Sequence, residues 1–229
     1  MSNASAAKSH QLGHRQRLRE RFLKNPEAMP DYELLEMLLF AAYPRGDTKP
    51  LAKELIKKFH SLADVLQANP QELQSIDGIG EAAVVAIKTA QLCAVRMLQT
   101  PLLDKPIIGS WKQLLDYAHA RMAYRKTEEV RILFLDNRNQ LVADEQMQQG
   151  TIDHAPVYAR EIVKRALEHH ASAVIMIHNH PNGDPNPSKD DIAITKTLQN
   201  ALAAVHIDLL DHLIIGRQGH KSLKSSAVI

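Results

Sequence analysis

The sequence predicts an α+β protein, with an all-α domain over residues 10–98, a linker over 99–106 and a sheet flanked by helices over 107–229. Apolar residues recur at helical spacing from His14 to Leu98, and Pro101 and Pro106 then interrupt that pattern. Beyond them, alternating and continuous apolar runs of strand type stand between amphipathic stretches. A length of 229 residues accommodates two such domains. Hydrophobic and charged fractions of 45% and 24% exclude disordered and fibrous classes. No apolar run reaches membrane-spanning length, and Met1–Lys8 has no apolar core of the kind a secretion signal needs. A cytoplasmic protein without a membrane partner is expected. The single cysteine, Cys93, permits neither an internal disulfide nor a Cys-rich metal cage, and its helical setting predicts a small buried hydrophobe.

In the first domain the groups Tyr32, Leu34, Leu35, Leu38, Leu39, then Leu51, Leu55, Ile56, Phe59, then Val84, Val85, Ile87, Leu92 each follow a helical stripe. They predict four or five short helices, punctuated by cap and turn chemistry at Pro30-Asp31, Asp47-Thr48 and Asn69-Pro70. The net charge of +2 is too small to imply a nucleic-acid partner. Most of the imbalance sits in Lys8–Lys24, where Lys8, Arg15, Arg17, Arg19, Arg21 and Lys24 face only Glu20. Such an arm reads as a solvated helix face, the commoner meaning, or as a set of phosphate contacts. Ser75–Ala82 contains Gly78-Ile79-Gly80 ahead of a helix and resembles the turn of a helix-hairpin-helix module, whose backbone N–H groups meet a phosphate. Gly78 and Gly80 are the candidate nucleic-acid contacts. Asp77 and Glu81 would repel phosphate, so a protein-contact or purely structural turn stands as the alternative.

The second domain begins with a helix near Trp111–Met122. Val130–Leu135, a turn at Asp136–Asn139 and the alternating run Leu141–Met147 make a hairpin. A helix over Val157–His170 leads into Ala173–Ile177, a continuous apolar run that suits a strand buried on both faces. Pro185–Ser188 is a loop, Ser188–Val205 a helix and His206–Ile215 the last strand.

His178 and His180 close the apolar strand two residues apart, so both imidazoles can meet at one point. A His-x-His pair among twelve histidines is weak evidence alone. The turn-rich segment Pro181–Ser188 then folds Asp191 back towards them. Ser188 and Asp191 also have capping-box spacing, and Asp190 needs no other role than an acidic residue at a helix start. Two neutral imidazoles and a carboxylate form a three-ligand zinc set with an open fourth position, where a water's pKa falls from about 15.7 to about 7. Such a site needs a proton acceptor. Alternation places Glu145 on the face of Leu141, Ala143 and Met147, and Asp144 on a solvated face. Glu145 reads as that acceptor, or as an edge residue reaching solvent.

His178-x-His180-Pro181, Ser188 and Asp191, with the upstream Glu145, resemble the JAMM motif of MPN-domain metalloproteases. Gly150-Thr151-Ile152, Arg160–Ala166 and Leu210-Asp211-His212 are similar to the bacterial RadC (UPF0758) family, and the likeness covers nearly the whole chain. The resemblance implies a deaminase-like α/β sandwich over 107–229. It implies one zinc per chain held by His178, His180 and Asp191, with Glu145 activating the water and Ser188 stabilising the tetrahedral intermediate. His154, close by in sequence, is expected at the surface.

Two functions follow as expectations. One is a zinc peptidase or isopeptidase acting on a protein or peptide amide. The other is a DNA-associated module of repair or recombination in which the metal is secondary, with weak and non-specific DNA binding. A zinc deaminase is excluded, because the Pro-Cys-x-x-Cys ligand pair it requires is absent.

Overall fold

The computed structural model describes residues 2–150 and 159–226, so His154 and the Thr151-Ile152 part of the family resemblance lie outside the described residues. The chain divides after Cys93 into two units. The first contains α1 (Ser2–Lys24), α2 (Asp31–Leu39), α3 (Lys49–Phe59), α4 (Leu62–Gln67), α5 (Pro70–Gln74) and the start of α6 (Glu81–Asp104). Ser61 caps α4 by accepting from the Asp64 amide, and Asn69 with Glu72 forms a capping box on α5, with Pro70 pre-set in its first turn. Leu35, Leu39, Leu55, Val65, Leu73, Ile76, Ile79 and Ile87 close one apolar core. Arg15 in the basic arm is largely buried and donates to the carbonyls of Tyr43, Pro44 and Gly46. Arg21 pairs with Glu33 at 3.0 Å. Part of the arm's charge therefore ties α1 to its own unit.

Two expectations fail in α6. Residues 99–104, expected as linker, are helical, and Pro101 lies inside the helix. A proline so near the C-terminal end removes a single backbone donor, and burial of Val95 and Leu102 in the core of the second unit favours continuing the helix. The break comes instead at Lys105, because Pro106 disfavours helical geometry in the residue before it. Cys93 is exposed, not buried. It sits about 200° around the helix from buried Val95, off the apolar stripe.

The second unit contains a short 3-10 turn (Ile107–Ser110), α7 (Trp111–Met122), β1 (Glu128–Leu135), β2 (Leu141–Gly150), α8 (Ala159–Glu168), β3 (Ala173–Asn179), α9 (Lys189–Ala203), β4 (Asp208–Gly216) and β5 (Gly219–Ser222). The sheet order is β2-β1-β3-β4-β5. Only β3 and β4 are parallel, joined through α9, and the other pairs are antiparallel. Leu133, Leu135, Ile175, Ile177, Leu213 and Ile215 cover one face against α7, while Val130, Ile132, Phe134, Val174 and Met176 cover the other against α8 and α9. The result is a three-layer α/β sandwich, as the resemblance implied. Burial on both faces explains the apolar runs Ile132–Leu135 in β1 and Ala173–Ile177 in β3, while buried Arg131 is carried by its carboxylate partners.

Register irregularities in β2 change two assignments. Leu141 pairs with Leu135 but Ala143 with Phe134, so a bulge at Val142 puts Leu141 on the α7 face and Glu145 on the opposite one. Asp144, expected in solvent, is buried under α7, where Arg131 Nε meets its carboxylate at 2.8 Å and the Tyr117 hydroxyl donates to it. A buried guanidinium needs such partners.

Candidate metal centre

The centre is assembled where β3 ends and α9 begins. His178 lies in β3 between Val130 and Ile214, is 1% exposed, and points to the α9 face. His180 keeps the strand alignment by donating its amide to the Ile215 carbonyl. The chain then turns, with the Gly183 amide bonded to the His180 carbonyl and Asx-type bonds at Asn182 and Asp184. Gly183 has φ +89°, open to glycine at no steric cost. Its carbonyl passes over Gly216 so closely that a Cβ there would lie 2.2 Å from the oxygen. Gly216→Ala is therefore expected to destabilise the protein by about 1–3 kcal/mol and to weaken metal binding through the displaced loop. Urea unfolding and metal titration check this, and wild-type values for both would show that the close approach is unimportant.

Ser188 caps α9, its hydroxyl accepting from the Asp191 amide at 3.0 Å, and the Ser188 amide donates to Asp191 Oδ2 at 2.7 Å. This capping box fixes the carboxylate that faces the histidines, so cap and ligand geometry coexist in Asp191. His178 Nε2 lies 3.0 Å from His180 Nε2 and 3.1 Å from Asp191 Oδ1, and His180 Nε2 lies 3.3 Å from Asp191 Oδ2. Metal–nitrogen bonds of about 2.0–2.1 Å in tetrahedral geometry require donor atoms about 3.3 Å apart, so this set fits a metal ion. The side of His180 away from the cluster is settled: Nδ1 donates to the Asp184 carbonyl at 2.8 Å, leaving Nε2 its lone pair when the ring is neutral.

Burial works to raise the Asp191 carboxyl, but the His178 and His180 rings set against it and the Ser188 hydroxyl that donates to it hold it well below the ordinary carboxylate range. The adjacent Asp191 carboxylate in turn raises His180 against its partial burial. His212 is pushed down to about 3, first by burial and then by the charge of His178.

Not every expected residue comes to the cluster. Glu145 stands opposite Ile132, in the row of Met176, two residues short of His178 and two strands away. That separates the backbones by about 12 Å. Its carboxylate is held by Arg165, with Nε at 2.7 Å from Oε2, and by His169 at 2.7 Å from Oε1. The His169 ring packs on Phe134, level with Val174 and towards the end of β3 away from His178. Arg165 first, and then His169, pull the Glu145 carboxyl down to about 2. The placement of Glu145 beside the metal is thus corrected: α8 supplies its partners, a non-local pairing that alternation along β2 does not reveal.

Ser188 is at the centre, yet its hydroxyl proton goes to Asp191 Oδ2 at 2.7 Å. Gly78 and Gly80 lie in the first unit. Gly78 has φ +82°, as the turn requires, and the Tyr43 hydroxyl donates to its carbonyl while accepting from the Gly80 amide at 3.1 Å. The Gly80 N–H expected for a phosphate is engaged within the unit.

Three residues at the centre carried no recognised functional signal. Glu128 opens β1, is exposed, and continues the Val130–His178 register onto the face of His180, whose pKa its charge helps to raise. Adjacent Glu129 turns to the other face and pairs with Arg131 at 2.8 Å. His212 is fully buried against His178 and Thr195 fully buried against His212, and a histidine within an apolar strand reads as core from sequence alone.

A three-layer sandwich with two histidines and an aspartate at a strand–helix junction is the arrangement of JAB-type domains, and residues 107–228 match the RadC-like JAB domain. Residues 10–85 match the UPF0758 N-terminal domain. A UPF0758 protein from Rhodobacter capsulatus is 50% identical over 213 residues, covering 93% of this chain and 100% of that relative. The chain belongs to the RadC (UPF0758) family.

Proposed function

We propose that this chain is a zinc-dependent hydrolase whose substrate is a protein or peptide amide. The observation that carries the reading is the set of three donors at tetrahedral spacing, to which a tetrahedral ion would add water or substrate as its fourth ligand. The choice of an amide rests on the resemblance to MPN-domain metalloproteases. Zinc held there supplies Lewis acidity and brings a water's pKa towards about 7. His178 and His180 bind through Nε2. Asp191 completes the set and is oriented by Ser188, whose hydroxyl would have to turn from Asp191 to the substrate to stabilise a tetrahedral oxygen. Glu128, on the face of His180 and open to solvent, takes the proton that Glu145, locked to Arg165, does not reach.

The test is zinc content by mass spectrometry together with cleavage of a quenched-fluorescence peptide pool. About one zinc per chain is expected, with cleavage abolished by a chelator and restored by zinc. A chain that holds little metal after incubation with excess zinc and removal of the free ion would sink the proposal.

The DNA-associated alternative makes a separate prediction. Arg15 and Arg21 are engaged within the first unit, as is the Gly80 amide, so few phosphates can be neutralised. Binding of labelled duplex is expected only in the non-specific range of about 10⁻⁴–10⁻⁶ M near physiological salt. Anisotropy titrations at several salt concentrations check it, and nanomolar binding that resists salt would favour the DNA reading.

A further inference from the structure

We propose that His212 and Thr195 form a buried positioning relay that fixes the tautomer of His178, so that Nε2 of His178 presents its lone pair to the metal. The inference rests on the metal-site reading above and assigns to this chain two residues outside the ligand set.

The direction of every bond in the relay follows from one fixed end. Thr195 lies four residues after Asp191 in α9, and its hydroxyl meets the Asp191 backbone carbonyl. A carbonyl only accepts, so the single hydroxyl proton points there. Towards His212 Nδ1, at 2.6 Å, the Thr195 oxygen can then only accept, and Nδ1 carries the proton. His212 has 0% exposure, and its ring nitrogens face Thr195 and His178, so among the described residues no carboxylate meets them to support a cation. A neutral ring protonated at Nδ1 offers a lone pair at Nε2, which lies 2.7 Å from His178 Nδ1. His178 must donate there. Its remaining nitrogen, Nε2, is the atom 3.0 Å from His180 Nε2 and 3.1 Å from Asp191 Oδ1.

The relay starts at the backbone of one ligand residue and ends at the ring of another, joining α9, β4 and β3. Without it, a neutral His178 could place its proton on Nε2, and that form cannot bind a metal through Nε2 without first shifting the proton.

The experiment uses the full chain and three variants. His212→Phe removes the acceptor facing His178. Thr195→Val removes the acceptor facing His212. His212→Gln keeps an amide oxygen able to accept from His178 and an amide N–H able to reach Thr195. Zinc affinity is measured by competition with a chromophoric chelator, and the His178 tautomer in the metal-free protein by long-range proton–nitrogen NMR. Zinc is expected to bind about 10–100-fold more weakly to His212→Phe and Thr195→Val, with His212→Gln closer to wild type. Wild-type His178 is expected to show the Nδ1-protonated pattern, lost in His212→Phe. Equal zinc affinity in all four proteins would overturn the relay, as would equal weakening in His212→Gln and His212→Phe, the mark of packing alone. If His212→Phe fails to fold, Thr195→Val and His212→Gln still decide it. A wild-type chain that binds no zinc but shows the Nδ1-protonated pattern would defeat the metal reading and not the proton order, whereas Nε2 protonation of His178 would defeat the relay itself.

Discussion

Glu128→Gln is expected to keep about one zinc per chain while hydrolysis falls by about 10²–10⁴-fold, the usual loss when a positioned proton acceptor is removed. Glutamine preserves shape and removes only the basic oxygen. Because Glu128 is exposed at the start of β1, the fold should not change. Glu145→Gln is the matched control. Its partner Arg165 is 37% exposed at the side chain and also pairs with Glu168, so only a small stability loss is expected. Activity should stay within a few-fold of wild type. Zinc content, cleavage of the peptide pool and thermal unfolding are measured on both variants. The opposite result, an active Glu128→Gln and an inactive, zinc-loaded Glu145→Gln, would mean that Glu145 leaves Arg165 and reaches the site during the reaction.

The contrast between these glutamates shows what was legible in the text of the chain. His178, His180 and Asp191 were legible because each depends on local geometry. Two-residue alternation aligns the histidines, and capping-box spacing returns Asp191 to the helix start. The interior strands were legible because burial on both faces gives them apolar runs such as Ile132–Leu135, Ala173–Ile177 and Leu213–Ile215. Glu145 and Asp144 were not, since the bulge at Val142 shifts the alternation and their partners Arg165, His169, Arg131 and Tyr117 come mostly from other elements. For the same reason His212, though part of the family-like Leu210-Asp211-His212, gave no sign of its role, which exists only once β4 lies beside β3 and α9 covers both. β5 escaped notice because Gly219–Ser222 lacks an apolar pattern, and Pro101 suggested a break that the burial of Leu102 overrides.

Adding zinc to metal-free wild-type protein is expected to stabilise it by about 4 kcal/mol when free zinc is a thousand times the dissociation constant, because the ion binds the folded chain and not the unfolded one. His178→Ala should show no such gain and should start from a lower stability, since it also leaves Nε2 of buried His212 without its donor. Asp191→Asn separates two roles that coincide in one residue. An amide oxygen can still accept from the Ser188 amide, so α9 should remain capped, but the neutral side chain loses the charge that attracts the metal. The expected outcome is near-native helix content, judged by circular dichroism, with zinc stabilisation largely lost. If Asp191→Asn gains as much from zinc as wild type, Asp191 serves the helix alone, and the third ligand must be sought elsewhere, with Glu128 the first carboxylate to substitute.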